Sequence, residues 1–140
     1  MSQELSIEKT IRVRFHECDP LQIVWHGNYL KYFEEARESF GLEHGISYEH
    51  VKINGYATPV VQSSCEHKLP LKYGDECVVK AIFENTRAAK MIFRYEIYLA
   101  EKLVCTGKTV QVFTDMDSNL ILVNPPFYSE WKEKMGLRDE

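Results

Sequence analysis

The chain has 140 residues, with 17 lysines and arginines against 21 aspartates and glutamates, and a formal net charge of −4. That length suits a single domain spanning 1–140 with a core of its own, and the charge balance gives no electrostatic case for nucleic acid or an anionic membrane surface. No apolar run reaches the ~18 residues that a transmembrane span needs, and the opening MSQELSIEKT lacks the basic and apolar regions of a signal peptide, so the expected location is cytoplasmic.

Leu5 to Phe15 alternates, which predicts a first strand with Leu5, Ile7, Ile11, Val13 and Phe15 on one face and Arg12 and Arg14 on the other. Cys18 to Gly41 follows and is the most informative stretch. Asp19 stands against Pro20, an apolar connector Ile23-Val24-Trp25 comes next, and then a helical pattern begins. Tyr29, Tyr32, Phe33, Ala36 and Phe40 form one apolar stripe of period 3.6, with Lys31, Glu34, Glu35, Arg37 and Glu38 opposite. Asn28 is read as N-cap and Gly41 as the C′ residue, for a helix of about 13 residues and roughly 20 Å.

Ala57 to Leu69 predicts a second strand, bounded by Pro59 and Pro70. Glu76 to Asn85 predicts a third, with Cys77, Val79, Ala81 and Phe83 on one face. Met91 to Leu99 predicts a fourth, with Met91, Phe93, Tyr95, Ile97 and Leu99 inward. Leu103 to Thr114 predicts a fifth, with Val104, Val110 and Val112 on the apolar face and Gly107 as a bulge or close approach. Asn124-Pro125-Pro126 opens a C-terminal helix whose stripe is Phe127, Trp131 and Met135. This order is α+β: an antiparallel sheet with its helices on one face. One long helix cannot cover such a sheet and also hide its edges, so a homodimer or homotetramer is expected.

Cys18, Cys65, Cys77 and Cys105 contain no CxxC pair, and the five histidines no HxH or HExxH, so no metal is expected. Cys77 and Cys105 read as small core residues. Asp19 lies just before a helix N-terminus, whose free N–H groups can stabilise an oxyanion, and a carboxylate there can attack a carbonyl or activate water. Taken alone, these residues favour an ordinary Asp-Pro turn and helix start over catalysis.

The resemblance changes that balance. Asp19-Pro20, Ile23-Val24-Trp25-His26, Asn28-Tyr29 and Tyr32-Phe33-Glu34-Glu35-Ala36-Arg37 look like the active-site signature of the 4-hydroxybenzoyl-CoA thioesterase family. The run His26-Gly27-Asn28-Tyr29-Leu30 resembles its Tol–Pal-associated short-chain acyl-CoA branch. The element order is similar to the hotdog fold, a five-stranded antiparallel sheet wrapped around one central helix, here with a C-terminal helix added. The resemblance implies an acyl-CoA thioesterase without a cofactor, CoA being part of the substrate. Asp19 matches the nucleophile or general base, and the backbone N–H at His26 the oxyanion donor. Candidate substrate contacts are Trp25, Asn28, Tyr29, Ser63, Ser64, Arg87 and Lys90, the last two toward the CoA phosphates. One position departs from the pattern: Gln22 stands where the family usually has glycine, at a cost if the loop is left-handed there. The other readings are a hotdog hydratase or dehydratase, whose Asp–x–Asn–Pro–x–His run is missing, and a non-catalytic acyl-CoA or acyl-carrier binding module.

Overall fold

The computed structural model describes residues 4–137. In chain order it contains β1 (Ser6–Arg12), α1 (Tyr29–His44), α2 (Tyr48–Ile53), β2 (Tyr56–Ala57), β3 (Val60–His67), β4 (Glu76–Glu84), β5 (Lys90–Leu99), β6 (Lys102–Asp115), β7 (Leu120–Ile121) and α3 (Pro126–Lys134). The five long strands make one antiparallel sheet in the order β1-β4-β5-β6-β3, and the two-residue strands β2 and β7 extend it along the end of β6. Helix α1 packs against β1, β4 and β3. This is the expected α+β hotdog arrangement of a sheet on a central helix. The expected second strand is split at Thr58-Pro59, where proline has no N–H to donate to a ladder.

The periodicities hold for most elements. Tyr29, Tyr32, Phe33, Ala36 and Phe40 are all buried, as are Cys77, Val79, Ala81 and Phe83 on β4 and Met91, Phe93, Tyr95 and Ile97 on β5. Helix α3 starts with Pro126 in its first turn and buries Phe127 and Trp131, and the indole N–H of Trp131 donates to His44 O at 2.7 Å.

Three expectations fail for physical reasons. Phe15 is 77 % exposed, because β1 ends at Arg12 and Phe15–Glu17 forms a 3-10 turn that sets the ring edge-on to Tyr73. Gly41 does not end the helix. It lies inside α1, which continues to His44 and terminates on Gly45 at φ 77°. The chain after the helix doubles back on Gly41, so that a Cβ there would sit 2.9 Å from Ile46 O.

The third concerns β6, which is inverted relative to its apolar pattern. Its helix-facing residues are Cys105, Gly107, Thr109, Gln111 and Phe113, while Val110 and Val112 face away; a bulge opposite Ile97 and Tyr98 leaves Val104 buried beside Cys105. The reason is proximity. Phe33 rests so close to β6 that a Cβ on Gly107 would collide with its ring. The polar inner residues find local partners: Tyr95 Oη and Thr109 Oγ1 are 2.6 Å apart, Arg37 donates to both, and the amide N–H of Gln111 donates to Thr58 O at 2.8 Å.

Phe33 is fully buried and stacks on Tyr95 at 4.5 Å. Phe33→Ala is therefore expected to cost about 3–5 kcal/mol, and Gly107→Ala about 1–3 kcal/mol through overpacking against that ring. Urea midpoints unchanged in both variants would contradict this contact.

Candidate active site

The site is built by a tight hairpin that leads into the central helix. Cys18 pairs with Val24, and Ile23 with Lys72, as isolated antiparallel bridges. Within the hairpin Asp19 N–H donates to Ile23 O at 2.9 Å and Gln22 N–H to Asp19 O at 2.8 Å. Gln22 adopts φ 66°, so the loop keeps the left-handed path despite lacking glycine. The Asp19 side chain joins this turn, with Oδ1 accepting from Leu21 N–H at 2.9 Å. Its Oδ2 accepts no hydrogen bond among the described residues.

Glu17, the neighbouring carboxylate, is committed to architecture. Its Oε1 accepts from Arg14 N–H at 2.7 Å and from the Tyr32 hydroxyl at 3.0 Å, and burial together with that acceptor raises the Tyr32 phenol. Its carbonyl accepts Trp25 N–H at 3.0 Å and Asn28 Nδ2 at 2.9 Å. One carbonyl thus ties the Asp19 hairpin to the start of the helix.

That start is a 3-10 turn, His26–Asn28, running directly into α1. Asn28 N–H returns to Trp25 O at 2.9 Å and Tyr29 N–H to His26 O. The N–H groups of His26 and Gly27 have no acceptor among the described residues, as the opening positions of a helix require. Asn28 occupies the expected N-cap position of α1, but it is helical at φ −82°, makes no side-chain capping bond, and is buried with its amide donating to Glu17 O. Trp25, 49 % exposed, lays its indole over Gly27, where a Cβ would collide with it, and tilts against the His26 ring at 5.0 Å. Tyr29 is buried, and burial pushes its phenol up to about 12 against the pull of the Leu71 backbone.

The remaining candidates separate. Ser63 pairs with Thr109 on the helix-facing side of β3, whereas Ser64 pairs with Lys108 on the outer side. Adjacent strand residues point to opposite faces, so the two serines cannot line one pocket against the helix. Arg87, in the β4–β5 connection, and Lys90, the first residue of β5, are exposed at the far end of the nine-residue β4 from the Asp19 hairpin. That end is roughly 30 Å away at 3.3 Å per residue. A cleft of about 530 Å³ lies near the same far end, lined by Glu34, Arg37, Glu38, Phe40, Thr58 and Gln111, with Gln111 Oε1 buried and without a partner among the described residues.

Two features lie outside the sequence candidates: the free Gly27 N–H, and a cluster of Cys65, His67 and Cys105 beside Tyr29 and His26. The Gly27 signal was present in the helix start. The cluster had no local signal, because the β3–β6 register assembles it.

Residues 13–132 match the family model of the thioesterase-like superfamily. The chain is 35 % identical over 91 residues to a candidate acyl-CoA thioesterase of Bacillus subtilis (strain 168), YneP, covering 65 % of this chain and 66 % of that one. It resembles the crystal structure of the DHNA-CoA thioesterase of Staphylococcus aureus at a TM-score of 0.84 and 26 % identity, covering 94 % of this chain and 91 % of that one. In fold it also resembles the 4-hydroxybenzoyl-CoA thioesterase of Pseudomonas sp. strain CBS-3, with a TM-score of 0.76, 24 % identity, and 90 % and 98 % coverage.

The left-handed Gln22 has a measurable consequence. A non-glycine residue there carries a cost on the order of 1–2 kcal/mol, partly offset by the ~0.5–1 kcal/mol of chain entropy that glycine brings. Gln22→Gly is expected to leave stability unchanged or raise it by up to about 1.5 kcal/mol, and β-branched Gln22→Val to lower it by at least about 1 kcal/mol. Denaturant midpoints for the pair check the sign.

Proposed function

The chain belongs to the thioesterase-like superfamily, and from that premise we propose that it hydrolyses an acyl-CoA thioester to the free acid and CoA, with Asp19 as nucleophile or general base. The observation that carries this reading is a juxtaposition. A carboxylate with one unengaged oxygen sits on a hairpin tied, through Glu17 O, to a helix start whose His26 and Gly27 N–H groups are free. These N–H groups supply the oxyanion donors, at the positive end of the helix dipole and under the Trp25 indole. Asp19 either attacks the carbonyl or takes a proton from the attacking water, and the thiolate of CoA leaves. His26 contributes its backbone, Asn28 holds the turn, and Tyr29 packs it. No cofactor enters this scheme.

The substrate is longer than one protomer's site. Strand β3 leaves one edge unpaired and is exposed along nearly its whole length, including Val60 and Val61. A homodimer pairing this edge across a two-fold axis stabilises it. The two-fold reverses the partner, so the sheet ends that lie apart in one protomer meet across the axis. The CoA phosphates then reach the partner's Arg87 and the partner's Lys90, and the acyl group approaches the partner's cleft. The expected species by sedimentation is at least twice the 16.4 kDa chain mass. A monomer at micromolar concentration argues against the shared site. Arg87→Ala with Lys90→Ala is expected to raise KM with kcat nearly unchanged, because a phosphate contact is felt equally in ground and transition states.

The decisive comparison is between the two carboxylates. Asp19→Asn keeps size and the Leu21 hydrogen bond but loses nucleophilicity and basicity, and is expected to lower kcat by about 10²–10⁴-fold. Glu17→Gln retains an acceptor for Tyr32 and Arg14 and is expected to keep most of the turnover. The reverse pattern in a thiol-release assay assigns the chemistry to Glu17, and CoA binding without any thiol release reduces the chain to a binding module. A single turnover in ¹⁸O water tests the nucleophilic role of Asp19: unlabelled product acid with ¹⁸O in the Asp19 carboxylate requires a mixed anhydride that water opens at the Asp19 carbonyl.

A further inference from the structure

Strands β3 and β6 bring three soft or borderline ligands to one place. Cys105 pairs with His67 in the antiparallel register, and Cys65 pairs with Gly107 one step along the same face. Side chains at these positions share the helix-facing side, so residues as much as forty apart in sequence converge. The Sγ atoms of Cys65 and Cys105 are 3.2 Å apart, and Nδ1 of His67 is 3.9 Å from Cys65 Sγ. All three ligand atoms lie within 4.8 Å of one another, and both cysteines are free.

We propose that Cys65, His67 and Cys105 form a binding site for one soft divalent ion of the zinc class at the inner face of the β3–β6 junction, beside the active-site helix start. The dimensions fit with small side-chain movements. Zn–S bonds of about 2.3 Å and Zn–N bonds of about 2.0–2.1 Å in a tetrahedron separate two sulfurs by roughly 3.8 Å and a sulfur and a nitrogen by roughly 3.5 Å. The donor set is selective: two thiolates and an imidazole suit zinc-class ions and reject magnesium and calcium, which prefer oxygen. Three protein ligands leave a fourth position for water or another donor. Access is graded, with Cys105 buried at the base, Cys65 half-buried and His67 exposed at the rim. Binding is not a redox step: two S–H bonds give their protons to solvent, two sulfur–metal bonds form, and the ion remains divalent.

The surroundings hold the third ligand in position. The His67 ring lies edge-on to Tyr29 at 4.8 Å and near the His26 ring at 6.5 Å. Packing of this kind fixes a ligand's orientation before the ion arrives. A disulfide between the two sulfurs is the competing chemistry, and it leaves the imidazole, aimed at Cys65, with nothing to do. An ion at this point ties the edge strand β3 to β6 and, through His67, to Tyr29 at the head of α1, so it is expected to raise the melting temperature.

The test uses the full chain, stripped with a chelator and kept in a phosphine reductant. Titration with Co²⁺ is expected to produce a near-ultraviolet thiolate-to-cobalt charge-transfer band and the visible bands of a tetrahedral ion, saturating at one equivalent and bleached by Zn²⁺. Cys65→Ser is expected to remove about half of the charge-transfer intensity and, with His67→Gln, to weaken Zn²⁺ binding by at least about tenfold. Both positions are at least partly exposed, and melting curves of the metal-free variants confirm that they fold. The proposal is overturned by absence of the band. It is overturned equally by wild-type uptake in both variants, which puts the ion elsewhere. A mass lower by two hydrogens before the reductant is added, with no cobalt uptake after it, makes the pair a disulfide instead and overturns the proposal.

Discussion

The seating of the Phe33 ring of helix α1 on the Gly107 backbone of strand β6 is the constraint on which the rest depends. Phe33 occupies the space that any side chain at position 107 would need, so the helix lies on backbone there. Neighbouring inner positions must be small or polar, and Thr109 and Gln111 find partners in Tyr95, Arg37 and Thr58. The helix side chains are also fixed against the central strands β4 and β5, through Phe40 on Phe83 and Phe93 and through Phe33 on Tyr95. Its N-terminus is therefore held in a fixed position beside the Asp19 hairpin.

A second constraint converts that helix end into a site. The hairpin carrying Asp19 and the turn at His26 are separate pieces of backbone, joined by one carbonyl oxygen with two donors, Trp25 N–H and Asn28 Nδ2. Glu17 adds its side chain to Arg14 and Tyr32, so one residue fixes the hairpin from both ends. The local strain is confined to Gln22. Two neighbouring acids thus have different fates, set by what surrounds them: Glu17 is spent on positioning, and Asp19 keeps an oxygen free.

The exposed edge strand β3 joins three features. Its free backbone edge asks for a partner, its inner face carries Ser63, Cys65 and His67, and it ends beside the helix start. A second protomer and a metal ion would act on the same strand from different sides. Arg87 and Lys90 lie at the far end of β4 from the Asp19 hairpin, a separation set by the length of that strand.

What the sequence determined by itself was whatever depends on local periodicity. Alternation over β4 and β5 and the 3.6-residue stripe from Tyr29 to Phe40 follow from chain geometry, so the core faces of those elements were legible, and so was an acid standing before a helix start. The signature from Asp19 to Arg37 and the element order carried the family. Tertiary structure decided what depends on who becomes whose neighbour. The apolar face of β6 was misread because Val110 and Val112 point outward wherever Phe33 presses on Gly107. Gly41 looked like a terminator because its packing against Ile46 arises only once the chain has turned back. The structural use of Glu17, the separation of Ser63 from Ser64, and the meeting of Cys65, His67 and Cys105 all rest on cross-strand register or long-range hydrogen bonds. Side-chain period is a property of one strand, whereas register belongs to a pair of strands, and no single segment of sequence contains it.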